Sequence, residues 1–175
     1  MHRTARLALR VTAGQRRRCF GLLRSAGDVW ACALEVNAWR RRRRDVPLVG
    51  YQELCRELTA SGPVTFAELD STGARSVMRR FSDAWFAAAK RRSRGDMLAG
   101  FPRRRRGLVP VRWYHGTFNL DGRRVRIPTA RGTAGLSVRL AREVPYPVEQ
   151  VRSITLVCEG GRLFLDVTAE VPVTV

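Results

Sequence analysis

The sequence predicts an α+β fold, a small β-barrel interrupted by an inserted segment of about four helices. Residues 3–11 alternate between apolar and polar side chains, residues 12–95 repeat apolar side chains at helical spacing, and alternation returns at Val111. Period two is typical of half-buried strands and period 3.6 of amphipathic helices, so the order is strand, helices, strands. Because a single strand is not stable alone, we expect the first strand to pair with the later ones.

The helical segment divides at its glycines, prolines and capping residues. The dipeptide Gly27-Asp28 predicts an interruption, because Asp28 is a good N-cap for a new helix. Asp70-Ser71 predicts the same for the last helix, whose polar face carries Arg75 and Arg79. The four predicted helices run from Thr12 to about Ala26, from Asp28 to near Pro47, over Tyr51–Leu58, and from Asp70 onward.

A basic connector rich in glycine and proline, residues 96–110, precedes the second β segment. Glu159-Gly160-Gly161 predicts a tight hairpin, because glycine tolerates the positive φ of such turns. The predicted strands are Val111–Asn119, Arg123–Pro128, Leu136–Leu140, Val151–Cys158 and Arg162–Val171. The predicted organisation is therefore a first barrel strand in residues 1–12, helices in 13–95, the connector in 96–110 and the rest of the barrel in 111–175.

The charge is the strongest indication of function. The chain has 33 basic and 15 acidic residues and a formal net charge of +18. The excess is concentrated in residues 1–110, which hold 24 basic and 9 acidic residues. A GC-rich genome explains the preference for arginine over lysine but not this imbalance. Such a charge favours a polyanionic partner, and arginine fits phosphate with a rigid fork of donors.

Three arginine runs are candidate phosphate contacts. Each lies near the end of a predicted element or in the connector, and together they favour a groove that follows a phosphate backbone. The alternative is a solvated surface without a defined partner. The candidate residues in these runs are Arg16, Arg17, Arg40, Arg41, Arg103, Arg104 and Arg105.

Aromatic and helical residues supply candidates for base contacts. Arg112-Trp113-Tyr114-His115 opens the second β segment, and aromatic side chains beside arginines on a strand are suited to base stacking. Alternation places Trp113 and Tyr114 on opposite faces, so at most one of them meets bases and the other is core. Arg75 and Arg79, at i and i+4, are spaced to enter a groove or to face solvent. Tyr51 lies on an apolar stripe, where a core position is its plain interpretation.

Catalysis, metal binding and membrane insertion find little support. There are two histidines and no CxxC pair, so zinc coordination and a Ser/His/Asp site are not predicted. The carboxylates of the second β segment fall in turns or on the outward face of a strand. No apolar run approaches the roughly 20 residues of a membrane span, and the alternating N-terminus is unlike a signal peptide. We expect no catalytic or metal site, no membrane contact, and reduced cysteines in a cytoplasmic protein.

Four segments, in order, resemble the N-terminal half of TnpB-like proteins, the transposon-encoded RNA-guided nucleases related to compact type V CRISPR effectors. Ala33–Asn37 matches the family's "ALExN", and Gly100–Arg106 resembles "GFPRFKKK". Leu120–Pro128 resembles "LDGNRVRLP", and Ile154–Glu170 resembles "VTVSREGGRWYVSFTVE". The helix that begins at Ser71 is similar in cap and spacing to a helix of that family.

The resemblance implies a wedge domain, a β-barrel of the oligonucleotide-binding type, interrupted by a helical recognition domain. It implies contacts with guide RNA, with the guide–target heteroduplex and with a short motif that flanks the DNA target. By position, the residues implied for reading that motif are Tyr51, Arg75, Arg79, Trp113, Tyr114 and His115. Base pairing reads the target in such systems, while the protein reads shape and the flanking motif.

In that family a RuvC-like nuclease domain follows the strand that ends in "VTAEV". This sequence ends near that point, at Val175. We therefore expect this chain alone to bind and not cut, with Mg²⁺ needed only by the nuclease half in cis. A cleavage-dead, guide-directed repressor in the prokaryotic cytoplasm and a structural RNA-binding protein are the alternatives.

Overall fold

The computed structural model describes residues 1–104 and 107–172, and it confirms the α+β class. Over these residues the order is one strand, three α-helices and six strands, with short 3₁₀ helices at Pro63–Phe66 and Val148–Gln150. The helices are α1 Ala13–Arg42, α2 Tyr51–Ala60 and α3 Ser71–Ser93. The strands are β1 His2–Arg10, β2 Val111–Tyr114, β3 Asn119–Asp121, β4 Arg124–Ile127, β5 Leu136–Leu140, β6 Val151–Glu159 and β7 Arg162–Glu170.

All seven strands form one antiparallel sheet in the order β2-β6-β7-β1-β5-β4-β3, which curls into a half-barrel. The first strand lies at its centre. Ala5 pairs with Val167 of β7 on one side, and Leu9 pairs with Leu140 of β5 on the other. The prediction that β1 pairs with later strands is confirmed. The predicted single strand Val111–Asn119 is wrong, because a turn at Gly116, with φ of 86°, separates β2 from β3.

The predicted break at Gly27-Asp28 is also wrong, because α1 is one helix of 30 residues. Gly27 lies where the connector crosses the helix. A Cβ at this position would stand 2.3 Å from the carbonyl oxygen of Gly107. One turn earlier, the carbonyl of Leu23 accepts a hydrogen bond from the backbone N–H of Val109. Gly27 therefore permits the close approach of a second backbone rather than ending a helix.

Replacing Gly27 by alanine is expected to destabilise the protein by about 1–3 kcal/mol, because the new methyl group overlaps the Gly107 carbonyl. Helix propensity alone predicts the opposite sign, a gain of about 1 kcal/mol. Gly14 is the matched control in the same helix, since a Cβ there has its nearest neighbour at 4.0 Å. Urea unfolding measures both variants. Stabilisation by Gly27→Ala, as expected for Gly14→Ala, contradicts the close approach.

The helices and the sheet share one hydrophobic core. Leu22 of α1, Phe81 of α3 and Leu165 of β7 are almost completely buried in the same cluster. Trp30 contacts Phe81 edge-on, with ring centroids 5.2 Å apart. Packing against this core positions the exposed faces of α2 and α3 described below. Within residues 1–104 and 107–172, every helix lacks the continuous apolar stretch that crossing a bilayer requires.

Candidate nucleic-acid interface

Three predicted residues converge where α2 packs against α3. Asp70 caps α3 by accepting hydrogen bonds from the N–H groups of Thr72 and Gly73, which fixes the start of the helix. Arg75 and Arg79 then lie one turn apart on its exposed face. The guanidinium carbon of Arg79 lies 3.9 Å from the centre of the Tyr51 ring, at the first residue of α2. We call Tyr51, Arg75 and Arg79 the α2–α3 cluster.

The α2–α3 cluster holds a neutral phenol beside two cations. Burial raises the pKa of Tyr51, as does the neighbouring Cys55, and Arg75 and Arg79 offset only part of that rise. The ring is therefore not a phenolate at neutral pH. Neither arginine forms an ion pair with a carboxylate in the part of the chain that the structure describes. The cluster thus presents positive charge and a stacked guanidinium that are available to an anionic partner.

Strand β2 presents alternate residues to opposite sides, as predicted. Tyr114 is 47% exposed, whereas Trp113 is completely buried, and its indole N–H donates to Asp70 at 2.9 Å. The prediction that Trp113 contacts nucleic acid is therefore wrong, because its ring is enclosed between α3 and the sheet. Gly73 makes room for it, since a Cβ there would lie 3.2 Å from the indole nitrogen.

The polar neighbours of Trp113 remain at the surface. Arg112 is exposed, and its Nε donates to the hydroxyl of Thr155 at 3.2 Å. Its backbone N–H donates to the hydroxyl of Ser76, which joins β2 to α3 between Arg75 and Arg79 in sequence. His115 is exposed, with Nδ1 3.0 Å from the carbonyl oxygen of Val151. The structure thus brings β2 beside the helix that carries the arginines of the α2–α3 cluster.

The arginine runs are not brought together into one patch. Arg16 and Arg40 stand near opposite ends of α1, about 36 Å apart at 1.5 Å per residue. Arg16 donates to the carbonyl of Gly161, and Arg40 donates to the carbonyl of Val46, so both guanidiniums also hold loops. Arg17 is exposed and is free of such contacts among the described residues.

The second and third runs are neighbours. Arg41 lines a cavity with Trp85, Phe101 and Pro102, so the start of the connector lies beside the C-terminal half of α1. Arg103 and Arg104 are exposed, and the carbonyl of Arg103 accepts the indole N–H of Trp30. The prediction for Arg105 falls outside the described residues. This end of the molecule therefore carries a basic surface separate from that of Arg16 and Arg17.

The structure also aligns three arginines that sequence analysis did not single out. Arg10 pairs with Arg139, and Arg139 pairs with Arg124, across strands β1, β5 and β4. Isolated arginines in separate strands carry no signal in the sequence. Only the strand register brings them together, and the register depends on long-range pairing.

The described residues show neither a metal-ligand cluster nor an ionised Cys19 thiol. Among the described residues there is no group of three or more His, Cys, Asp or Glu side chains placed to hold a metal ion. The four cysteines are free, and burial raises the pKa of Cys19 to about 11. Cys19 is therefore a neutral core thiol at physiological pH.

Comparison of the sequence with protein-family models and with curated proteins finds no match.

Proposed function

We propose that this chain binds nucleic acid through the α2–α3 cluster and the adjacent exposed residues of β2. The observation that carries the proposal is the stacking of Arg79 on Tyr51 at 3.9 Å, with Arg75 one turn away. Stacking fixes the plane of the guanidinium while leaving donors free for phosphate or for a guanine edge. On the neighbouring strand β2, Tyr114 is 47% exposed and offers a nucleic-acid base an aromatic face for stacking.

The more specific proposal is a nucleic-acid-binding half of an RNA-guided DNA nuclease in the prokaryotic cytoplasm. It rests on the resemblance to TnpB-like proteins and is supported by where the matching segments lie. Leu120–Pro128 covers the β3–β4 hairpin, and Ile154–Glu170 covers the β6–β7 hairpin. Asn37, the last residue of the "ALExN" segment, binds both the N–H and the carbonyl of Leu48. The proposed partners are guide RNA, the RNA–DNA heteroduplex and the DNA that flanks the target.

The α2–α3 cluster predicts a specific binding defect. If Arg75 and Arg79 contact phosphates, we expect Arg75→Ala and Arg79→Ala each to make the plot of log affinity against log salt shallower, by about 1 in the magnitude of its slope. If the arginines instead make bidentate contacts with a base, we expect each variant to lose about 1–3 kcal/mol of binding free energy, and the size of the loss to depend on the flanking sequence. Fluorescence anisotropy with labelled heteroduplexes that differ only in the flanking pairs measures both quantities.

Arg91→Ala is the matched control for these variants. It removes one positive charge from the same helix about 18 Å beyond Arg79, at 1.5 Å per residue, where Arg91 pairs with Asp96. If Arg75→Ala and Arg79→Ala affect binding no more than Arg91→Ala does, the assignment of the α2–α3 cluster is wrong. Tighter binding of a structured RNA than of a heteroduplex favours the structural RNA-binding alternative.

A further inference from the structure

A row of arginines crosses the outward face of the sheet. Arg10 on β1 lies opposite Arg139 on β5, which lies opposite Arg124 on β4. All three side chains are exposed, and we call them the arginine row. Adjacent strands are about 4.8 Å apart, so the row spans roughly 10 Å. Asp121 on β3 continues it, since it pairs with Arg124.

The arginine row is unfavourable for the isolated protein, because like charges directly opposite each other across a sheet destabilise it. None of the three arginines forms an ion pair within residues 1–104 and 107–172. Four residues earlier on the same face of β1, Arg6 is paired with both Asp166 and Glu159. The sheet thus neutralises Arg6 and leaves the arginine row without an ion pair among the described residues, although Asp121 lies opposite Arg124 at one end of it. A bound anion relieves that repulsion.

The surroundings of the row fit a ribose-phosphate chain. Two members of the row, Arg124 and Arg139, line a groove. Its other lining residues include the polar Gln15, Asn119, Arg126 and Ser137 and the apolar Val125 and Val138. Two carboxylates, Asp121 and Glu143, also line the grooves beside Arg124 and Arg139. A carboxylate repels a phosphate but accepts a hydrogen bond from a hydroxyl. RNA supplies that donor at its 2′ position and DNA does not.

We propose that the arginine row binds the phosphates of an RNA strand, whose 2′-hydroxyl groups donate to Asp121 and Asn119. This site is distinct from the α2–α3 cluster, because it lies on β1, β5, β4 and β3 rather than on α2 and α3. The inference rests on the proposed function only in requiring that the chain binds nucleic acid. It adds a second contact surface and a preference for RNA at that surface.

The test compares oligouridine and oligodeoxyuridine of equal length, by anisotropy over a salt series, with the full chain and three variants. Arg139→Gln removes the central charge of the row, and Arg3→Gln removes an exposed charge at the other end of β1. We expect Arg139→Gln to lower the salt slope for oligouridine by about 0.7, the value for one phosphate of a single strand. Arg3→Gln should leave the slope unchanged. We expect the unmodified protein to bind oligouridine about fivefold more tightly than oligodeoxyuridine, and Asp121→Ala to remove most of that difference.

Thermal unfolding supplies a second readout, because Arg139→Gln relieves like-charge repulsion. We expect its Tm to equal or exceed that of the unmodified protein while its RNA affinity falls. The arginine row is not an RNA site if Arg139→Gln lowers the Tm or leaves the salt slope for oligouridine unchanged. The same conclusion follows if Arg139→Gln and Arg3→Gln change RNA binding equally. Equal affinity of the unmodified protein for the two oligonucleotides would overturn the RNA preference. If oligouridine binds but Arg139→Gln has no effect, only this inference fails; if no nucleic acid binds, the proposed function fails with it.

Discussion

Trp113→Ala is expected to destabilise the protein by about 3–5 kcal/mol, the usual cost of removing a buried tryptophan. The ring is completely buried, and its N–H donates to Oδ1 of Asp70 at 2.9 Å. The same oxygen accepts the backbone N–H of Gly73, which caps α3. Loss of the indole therefore leaves a cavity between β2 and α3 and removes the tie between the strand and the start of the helix.

Chemical denaturation with urea measures this loss, with Tyr114→Ala as the control on the same strand. Tyr114 is 47% exposed, so its replacement should change stability by no more than about 0.5 kcal/mol. Trp113→Phe separates the two contributions, since it keeps an aromatic ring and loses the hydrogen bond to Asp70. Similar stabilities of Trp113→Ala and Tyr114→Ala are incompatible with a core tryptophan.

Nucleic-acid affinity is expected to fall by about 10³- to 10⁵-fold between 50 and 200 mM salt if six to ten phosphates are contacted. The reason is the release of counterions when arginines neutralise phosphates. The net charge of +18 supplies enough cations for such an interface. The measurement is a heteroduplex titration by anisotropy at several salt concentrations.

The same titration is repeated with the double variant of the α2–α3 cluster, Arg75→Ala/Arg79→Ala. It should show a shallower slope than the unmodified protein, by about 2, because each lost phosphate contact reduces the slope by about 1. Affinity that does not change with salt contradicts the proposed function, since phosphate contacts through arginine cannot be independent of ionic strength.

Sequence periodicity predicted most of the secondary structure, because alternation and helical spacing follow directly from which side is buried. The β7 pattern is an example: Leu163, Leu165, Val167 and Ala169 are buried, and Glu170 is exposed. Gly27 was misassigned because its role depends on Gly107, a residue 80 positions away. A local rule cannot anticipate a contact with another backbone.

Helical spacing predicted part of the candidate site as well. Arg75 and Arg79 share one helix face by spacing alone, and their exposure was foreseeable. The contact of Arg79 with Tyr51 depends on how α2 packs, and the burial of Trp113 depends on which side of β2 meets α3. The arginine row depends on strand register, which the spacing of arginines along the sequence does not encode.

The central position of β1 has a consequence for synthesis on the ribosome. Ala5 pairs with Val167, so the ribosome must add about 160 further residues after β1 before its partner β7 has been synthesised. At 5–20 residues per second, that delay is roughly 8–30 s. Until β5 and then β7 emerge, the apolar side of β1 lacks the strands that flank it in the folded sheet, so it stays exposed to other apolar surfaces during that time.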